Sequence, residues 1–555
     1  MVHFIKRRKK GRTPMKKNRN NRHSNSMNEE QDMPVNLEGT SSASENNTDD
    51  GASNSVVSSS IEHVITYIKT ELGNPGDLVV RHLNLEVGLK IKAAVIFIDE
   101  LVDSQKIAEF VIERLQTVPV HIKDMPATFG ESFYFIKENS LSLGTVAEIE
   151  NYNDLLDGLL AGNTAIYING FPKVLMAEAI GGSSRAIQEP TSEVVIRGPK
   201  EAFTELLKTN IGLVRRKIRS SDLRVEQMKL GRVTKTPIAL LYINNIADPK
   251  LIEEMKTRLE RIDADSILES GQLEEFIQDE TFTVFPQLFS TERPDVVAGD
   301  LLEGRVAVMV NGTPFTLIAP TQFVQFFQSP EDYYMRYDIG SFLRMLRFFV
   351  FIVSLIAPSI YIALTTFHQA MIPTTLLFGL AAQREGVPFP AFVEALMMEI
   401  TFEILREAGI RMPRPVGVAV SIVGALVLGQ AAVQAGLVSP VMVIVVGITA
   451  VASFAVPSFA VATSARLLRF PLMLISSIFG FYGLTLALIV IIAHLTSLRS
   501  FGVPYLSPIA PFNMDDMKDA FFRFPIKSML KRPSLISQKN RVRMTNHETQ
   551  KSRGE

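Results

Sequence analysis

The sequence predicts a multi-domain membrane protein, in which a soluble α/β part built from two related subdomains precedes an all-α transmembrane bundle. Three observations predict this class. Long runs almost without charge are confined to about the last two hundred residues, the preceding part is charged and mixed like a water-soluble domain, and one pattern in that part occurs twice. The predicted segments are a disordered arm at 1–60, α/β subdomains at 61–190 and 191–334, a transmembrane domain at 335–512 and a basic cytoplasmic tail at 513–555.

The N-terminal arm is basic and then polar. Residues 1–22 carry many lysines and arginines without one acidic residue, and residues 23–60 are rich in serine and asparagine. The arm has too little apolar surface to offset the conformational entropy lost on ordering, and we therefore expect it to be disordered. The basic start is not followed by the apolar core of a secretory signal. We expect the arm to contact anionic membrane lipids and not nucleic acid.

Composition excludes several kinds of chemistry. The chain of 555 residues contains no cysteine, which rules out thiol catalysis, cysteine-based metal sites and disulfide bonds. The histidines are too scattered for a metal site, and no glycine-rich run has the spacing of a phosphate-binding loop. We therefore expect no enzyme activity, no cofactor and no metal.

The soluble part contains an internal duplication. Leu159-Leu160-x-Gly162 followed by Asn169-Gly170-x-Pro172 recurs 142 residues later as Leu301-Leu302-x-Gly304 followed by Asn311-Gly312-x-Pro314. Two related α/β subdomains at about 61–177 and 200–324 explain this repeat. In each copy an apolar strand-like run precedes a helical one. Asn-Gly between two apolar runs predicts a tight two-residue hairpin turn with positive φ at both residues, in preference to a ligand-binding loop.

Four apolar runs are long enough to span a bilayer, which requires roughly 20 residues per helix. The predicted spans lie near 343–367, 415–437, 441–461 and 467–495, with ambiguous segments at 371–407 and 501–512. The first ambiguous segment fits an interfacial amphipathic helix or a further crossing, and the second fits a re-entrant stretch. Basic residues near both ends of the chain predict that both ends are cytoplasmic. The number of crossings stays open.

The second apolar run is the first choice for a pore-lining helix. Valines recur at helical spacing and align with two glutamines, and hydrophobic rings can gate a channel by dewetting while amides contact ions or water. Ordinary helix packing is the alternative explanation. The candidate pore-lining or gating residues are Val416, Val420, Val423, Val427, Gln430 and Gln434.

Charged residues near the predicted spans are further candidates. Glu399 and Glu403 share a helical face with Arg406, so they either follow an ion path or pair with Arg406 on an interfacial helix. Arg344 and Arg347 lie at the start of the first span. They either extend to the interface or couple movements of the soluble part to the helices.

Several runs then carry a resemblance to a known family. These are VIRGPKEAF at 195–203, NIGLVRRKI at 210–218, TERPD at 291–295, APSIYIAL at 357–364 and REAGIRMP at 406–413. They resemble the A subunits of bacterial spore germinant receptors, over about residues 61–525. The resemblance is strong because the matching runs lie in both the soluble and the membrane part.

The resemblance implies a nutrient-sensing complex in the spore inner membrane. Its other members would be a transporter-like B subunit and a lipoprotein C subunit. Copies of the A subunit would form a homo-oligomer with an ion-conducting path, opened when the B subunit binds its germinant. A non-conducting scaffold that clusters receptor subunits and a secondary transporter remain alternative functions.

Overall fold

Two five-stranded antiparallel sheets with the same strand order form the N-terminal half of the computed structural model. The structure describes residues 56–87, 89–117, 133–134, 136–137, 146–181, 189–412 and 424–544. The first sheet is ordered β1 (Leu78–Val87), β2 (Leu89–Ile98), β4 (Thr164–Ile168), β5 (Val174–Ala177) and β3 (Val146–Ile149). The second is ordered β6 (Leu223–Leu230), β7 (Thr236–Ile243), β9 (Val306–Val310), β10 (Thr316–Ala319) and β8 (Phe289–Thr291). Strand for strand, the two orders are the same, and they match the repeat in the sequence.

Helices cover both faces of each sheet. On the first sheet, α1 (Ile61–Leu72) and α3 (Tyr152–Leu160) pack on one face. The other face is covered by α2, which continues from Ser104–Ile107 through a π-helical turn at Ala108–Ile112 to Glu113–Thr117. On the second sheet, α4 (Leu207–Lys217) and α7 (Pro294–Leu302) cover one face, and α5 (Pro249–Glu260) and α6 (Ser270–Ile277) cover the other.

The central strands are apolar on both faces because both faces are covered. On β2, Ala94 and Ile96 contact the α1 and α3 layer, whereas Val95 and Phe97 contact the α2 layer. Successive side chains of a strand point to opposite faces, so a continuous apolar run can supply two cores. This arrangement explains why the sequence shows uninterrupted apolar runs instead of alternation at these strands.

In each copy an aspartate caps the helix that follows the second strand of the sheet. Asp103 follows β2 and Asp248 follows β7, each at the N-cap of the next helix. The Asp103 carboxylate accepts hydrogen bonds from the backbone of Gln105 and Lys106, and Asp248 accepts one from Lys250. A side-chain oxygen at this position satisfies amides that the helix itself leaves unpaired.

The Asn-Gly pairs do not form the predicted two-residue turns. β4 ends at Ile168 and β5 begins at Val174, so a longer loop joins them. Gly170 has a φ of +97°, whereas the φ of Asn169 is not positive. The asparagine acts at a distance, because Asn169 Oδ1 accepts a hydrogen bond of 3.1 Å from Ile61 N. In the second copy, Asn311 Oδ1 accepts one of 3.1 Å from Leu207 N. Each asparagine therefore satisfies the first amide of a helix about a hundred residues earlier.

The two sheet units are joined by charged contacts. Arg215 of α4 forms a buried ion pair with Asp77, which precedes β1. Lys208 of the same helix lies 2.9 Å from Asp99, and Arg224 donates a 2.7 Å hydrogen bond to the carbonyl of Glu71. We call the described residues before 335 the head.

Long helices dominate the remainder. They are α8 (Tyr337–Thr366), α9 (Thr374–Arg384), α10 (Ala391–Arg411), α11 (Gly429–Gln434, after a π-helical turn at Gly424–Leu428), α12 (Pro440–Phe454) and α13 (Phe459–Ser497). α8 packs mainly against α13 and α12. Within the described residues, α8 and α13 are long and apolar enough to cross a membrane, judged by length and composition.

The helix bounds differ from the predicted spans. The predicted span at 441–461 covers α12, whose 15 residues extend about 22 Å at 1.5 Å per residue, and the first residues of α13. α12 ends at Phe454 because Pro457 follows, and Ser458 then caps α13. α13 is interrupted at Gly480, which has φ +57° and ψ −142°. The first nine residues of the predicted span at 415–437 lie outside the described residues, which resume at Gly424.

The two ambiguous segments are also resolved in part. α10 does not lie apart as a two-faced surface helix, because Ala391, Ala395 and Glu399 are buried against its neighbours. The segment 501–512 lies against the head, where Tyr505 O accepts a 2.8 Å hydrogen bond from Phe323 N and the Tyr505 hydroxyl donates one of 2.6 Å to Pro286 O. This segment is thus bound to the head by backbone and side-chain hydrogen bonds, and its re-entrant interpretation stays a prediction.

Candidate functional site

The chain leaves the head through two short helical turns and then enters α8. The turns lie at Phe323–Phe327 and Glu331–Tyr334. Phe323 and Phe327 pack against Phe351 of α8, with ring centroids 5.9 and 5.1 Å apart. An apolar, aromatic contact therefore joins the head to the first long helix.

A buried group of charges lies beside this contact. The Asp332 carboxylate is 3.1 Å from Arg344 Nε and 2.8 Å from Arg347 Nη1. The two arginines are one helical turn apart, so they share a face of α8. Gly340 lets α8 pass close to the turn, since a Cβ atom there would lie 2.9 Å from Asp332 O.

The C-terminal part of the chain completes this group. Arg344 Nη1 donates hydrogen bonds to the carboxylate and the carbonyl of Asp519, at 2.9 and 2.8 Å. The Tyr333 hydroxyl donates to the other Asp519 oxygen at 2.8 Å. We call Asp332, Tyr333, Arg344, Arg347 and Asp519 the junction cluster. Burial, with the Asp519 charge second, raises the pKa of Tyr333.

The junction cluster corrects one interpretation of the arginines. Arg344 is fully buried and Arg347 nearly so, with side chains 0% and 12% exposed. Neither extends towards an interface, because two carboxylates hold them inside the protein. Two positive and two negative charges balance, which is the condition under which a buried cluster is tolerated.

The segment 513–544, which we call the tail, continues over the head. Arg532 Nε donates a 2.7 Å hydrogen bond to Leu302 O, and the Ser537 hydroxyl donates one of 3.1 Å to Ile246 O. Arg543 pairs with Glu303. The tail is therefore bound to the second sheet unit through its backbone carbonyls as well as its charges.

A row of carboxylates runs along α10 inside the helical part. Glu394 and Glu399 are buried, and Glu403 is half-buried. We call these three residues the carboxylate row. Glu394 accepts hydrogen bonds from the backbone and the hydroxyl of Ser439 at 3.0 and 2.9 Å. Ionisable groups among apolar helices are expensive to bury and are usually functional.

Arginines of α13 face the carboxylate row. Arg469 Nη1 lies 2.6 Å from Glu399, and its Nε donates a 2.8 Å hydrogen bond to Ser354 O of α8. Arg466 Nη1 lies 3.1 Å from Glu403, which is also 3.6 Å from Arg406. The predicted Glu403–Arg406 pair thus forms, whereas Glu399 pairs across helices and not along its own.

Some polar atoms of this row have no hydrogen-bond partner within the described residues. They are Glu399 Oε1, Arg469 Nη2, Arg466 Nε and Arg406 Nε. Each is buried, and a buried polar atom without a partner costs about 1–3 kcal/mol. The row therefore retains unused capacity to bind polar or charged species.

The predicted pore-lining residues are described only in part. Val416, Val420 and Val423 lie outside the described residues. Val427 is 53% exposed, and Gln430 and Gln434 are exposed on α11. Their side chains do not pack into the core of this chain, so they are available to lipid or to a second copy.

Sequence reasoning missed Asp332, Asp519 and Glu394. Asp332 lies in a segment of ordinary composition and Asp519 in the basic tail, so no pattern marked either as a partner of Arg344. Arg469 carried a usable signal, because it is a charge inside a predicted span. Its partner could not be named from the sequence.

The chain is similar to known spore germination proteins. The family model described as the Bacillus/Clostridium GerA spore germination protein matches residues 66–535. Spore germination protein KA of Bacillus subtilis (strain 168) is 52% identical over 488 residues, covering 88% of this chain and 89% of that protein. Spore germination protein GerLA of Bacillus cereus is 38% identical, covering 86% and 96%.

One solved structure covers part of the chain. It is the crystal structure of the N-terminal domain of the A subunit of the Bacillus megaterium spore germinant receptor GerK3, with 39% identity and a TM-score of 0.39. It covers 49% of this chain and 99% of that chain.

The fold and the site define a class of protein with a duplicated α/β head, two apolar helices of membrane-spanning length and buried charges between them. Within that class, this chain belongs to the GerA family of spore germination proteins, the A-type subunits of germinant receptors.

Proposed function

We propose that this chain is a receptor subunit whose helical parts, contributed by several copies, enclose an ion-conducting path in the spore inner membrane. A transporter-like B subunit would bind the germinant, and a lipoprotein C subunit would complete the complex. The observation that carries the proposal is the Glu399–Arg469 pair, buried between apolar helices and continued by Glu403 and Glu394. Scaffolding alone does not require charges at this depth.

The contact between head and tail supports a topology in which both lie on the same side of the membrane. The junction cluster joins the head to the tail, so the two lie on the same side of any membrane that the intervening helices cross. The number of crossings between residues 335 and 512 must then be even. The excess of lysine and arginine near both ends favours the cytoplasmic side.

Several copies would be needed to line a path, because the candidate pore-lining side chains that the structure describes are exposed on a single chain. Val427 in the π-helical turn and Gln430 and Gln434 on α11 are exposed. We expect the valines Val416, Val420 and Val423 to continue this face, because they recur at helical spacing. In a homo-oligomer these side chains would face a common axis, where apolar rings gate and amides contact ions. Val420→Ala or Val423→Ala should then raise basal cation leak, and unchanged leak in both variants would exclude this helix as the gate.

Coupling would pass through the junction cluster. Arg344 and Arg347 connect the last turn of the head to both α8 and the tail. A displacement of the head would therefore move the start of α8, because the cluster and the adjoining Phe323 and Phe327 contacts connect the two.

The test is monovalent cation flux in liposomes containing the full receptor complex, with and without germinant. Glu399→Gln should lower flux about tenfold or more, because Arg469 would then stand unpaired as a barrier to cations, and about 1.4 kcal/mol suffices for that factor. Glu407→Gln is the matched control, since Glu407 lies on the same helix in an exposed pair with Arg411. No flux from the wild-type complex under any stimulus would support the non-conducting scaffold instead.

One observation favours a secondary transporter as the second candidate. α13 is broken at Gly480, and transporters build substrate sites on discontinuous helices. Transport would saturate with substrate and continue at constant rate without a gate opening. Flux that follows germinant binding with channel-like steps would decide against it.

A further inference from the structure

A cavity of about 1160 Å³ lies where the head, the turn between α12 and α13, and the tail meet. The head contributes Phe289 and Phe326, the turn contributes Pro457, and the tail contributes Leu530. The lining combines apolar and charged side chains, and a cavity of this size is large enough for a small molecule.

Carboxylates are concentrated at the head side of this cavity. Glu193 and Asp295 both line it, and Arg293 connects them: its Nη1 donates a 3.2 Å hydrogen bond to Glu193 O, and its Nη2 lies 2.8 Å from Asp295 Oδ2. The Glu193 carboxylate accepts a 2.6 Å hydrogen bond from the Thr291 hydroxyl. Within the described residues, no lysine or arginine nitrogen lies within 4.0 Å of the Glu193 carboxylate.

Asp295 also has unused capacity. Its side chain is 6% exposed, and Oδ1 is buried without a hydrogen-bond partner in the described part of the chain. The other oxygen, Oδ2, is occupied by Arg293 and by the Tyr334 hydroxyl at 2.6 Å. Arg293 therefore pairs with the Asp295 carboxylate and with the backbone of Glu193, and it leaves the Glu193 carboxylate without an ion pair among the described residues.

Aromatic side chains lie beside these carboxylates. Phe289 and Thr291 are two residues apart on β8, so they point to the same face, and Thr291 contacts Glu193. The Phe289 ring lies 5.7 Å from that of Phe326. A carboxylate next to an aromatic pair is the arrangement that recognises an organic cation.

We propose that this cavity binds an organic ammonium ion, with the ammonium group at Glu193 and Asp295 and an apolar body against Phe289 and Phe326. The proposed receptor function places the germinant on a partner subunit, so this ligand is a separate one. Binding at the head, helix and tail boundary would stabilise one arrangement of these three parts. The binding site does not depend on ion conduction.

The cavity also makes the binding dependent on pH. Burial raises the pKa of Glu193 to about 7. The smaller effects are a lowering by Thr291 and Arg293 and a raising by Glu292 and Asp295. The ammonium ion needs the ionised carboxylate. Affinity should therefore fall about tenfold from pH 8 to pH 6, as the ionised fraction falls by that factor.

The experiment is calorimetric titration of the full-length protein in lipid nanodiscs with 2-phenylethylammonium. Empty nanodiscs give the blank, and 2-phenylethanol and 3-phenylpropanoate are probes of matched shape with neutral or negative charge. Saturable binding of the ammonium probe, at least tenfold tighter than of the other two, is the expected result. Equal binding of all three would overturn the proposal.

Variants locate the site. Glu193→Gln should weaken 2-phenylethylammonium binding about tenfold. Glu189→Gln is the matched control, because Glu189 is exposed, pairs with Lys200 and does not line the cavity. Equal affinity in both variants would overturn the site. If Glu193→Gln does not fold, the pH series on the unmodified protein decides, and an affinity that is constant from pH 8 to pH 6 overturns the proposal.

Discussion

Arg344 at the start of α8 donates a 2.9 Å hydrogen bond to the carboxylate of Asp519, 175 residues further along the chain. In the part of the chain that the structure describes, most of α8 and all of α13, the two helices long and apolar enough to cross a membrane, lie between these two residues. Their contact closes the helical part into a loop of chain whose two ends are fixed to each other. Asp332 fixes the same arginine to the head.

Asp332→Asn should destabilise the protein by about 3–5 kcal/mol, because two buried arginines would lose their shared carboxylate. Thermal unfolding in detergent micelles measures this as a lower midpoint. Asp338→Asn is the control, since Asp338 forms an exposed pair with Arg336 on the first turn of the same helix. Equal midpoints for the two variants would show that the junction cluster contributes no stability.

Glu399 and Arg469 should behave as one unit. Replacing either residue alone with leucine leaves a buried charge, whereas replacing both removes the charge from both helices. The double variant should therefore be more stable than either single variant, with a coupling energy of about 0.5–3 kcal/mol. A double-mutant cycle based on unfolding midpoints measures this energy, and strictly additive effects would contradict the pairing.

Gly480→Ala should strain the break in α13. Gly480 occupies a backbone region available almost only to glycine, and a Cβ atom there would lie 2.8 Å from the His368 ring. We expect a loss of about 1–3 kcal/mol in unfolding free energy. Gly379→Ala on α9 is the control, because a Cβ atom there meets nothing within 4 Å. A Gly480→Ala variant as stable as that control would mean that the break relaxes to a regular helix.

The two asparagines of the Asn-Gly pairs should each stabilise one distant helix start by about 1 kcal/mol. Asn169→Ala should speed amide hydrogen exchange at the start of α1, and Asn311→Ala at the start of α4. Each variant is the control for the other. Faster exchange at both helices in one variant, or at neither, would contradict the assignment of these hydrogen bonds.

Asp300 should make stability depend on pH. Burial raises the pKa of the Asp300 carboxyl group from 3.8 to about 6 and outweighs the opposing effect of Arg305. The folded protein therefore binds this proton more tightly than the unfolded chain does. Its stabilising contribution is therefore complete below about pH 4 and is lost as pH rises through about 6, by up to about 3 kcal/mol. The stability of wild type relative to Asp300→Asn should fall over this range in denaturant titrations, and a constant difference would refute the shift.

Local signals in the sequence were sufficient for several features. The repeat at 142 residues predicted a duplicated head, and the two sheets share one strand order. Apolar length predicted α8 and α13, because a helix of such composition is recognisable without its neighbours. The Asn-Gly pairs misled us, since the turn pattern is local whereas the asparagine acts on a helix far away in sequence.

The sequence alone could not predict which charged residues pair with each other. Glu399 was marked by its position, but both Arg406 and Arg469 were possible partners by residue type. α10 and α13 had to pack together before Arg469 came within 2.6 Å. The same holds for Asp519, which lies in a basic segment that looked like a solvated tail.

The amino-acid order alone thus determined the elements of this protein, since helix and strand preference, apolar length and repetition are properties of short stretches. Tertiary packing alone decided which charges meet, where the tail binds and which residues enclose the cavity. The physical reason is distance: a salt bridge forms within about 4 Å in space, and the spacing of two residues along the chain does not specify that separation.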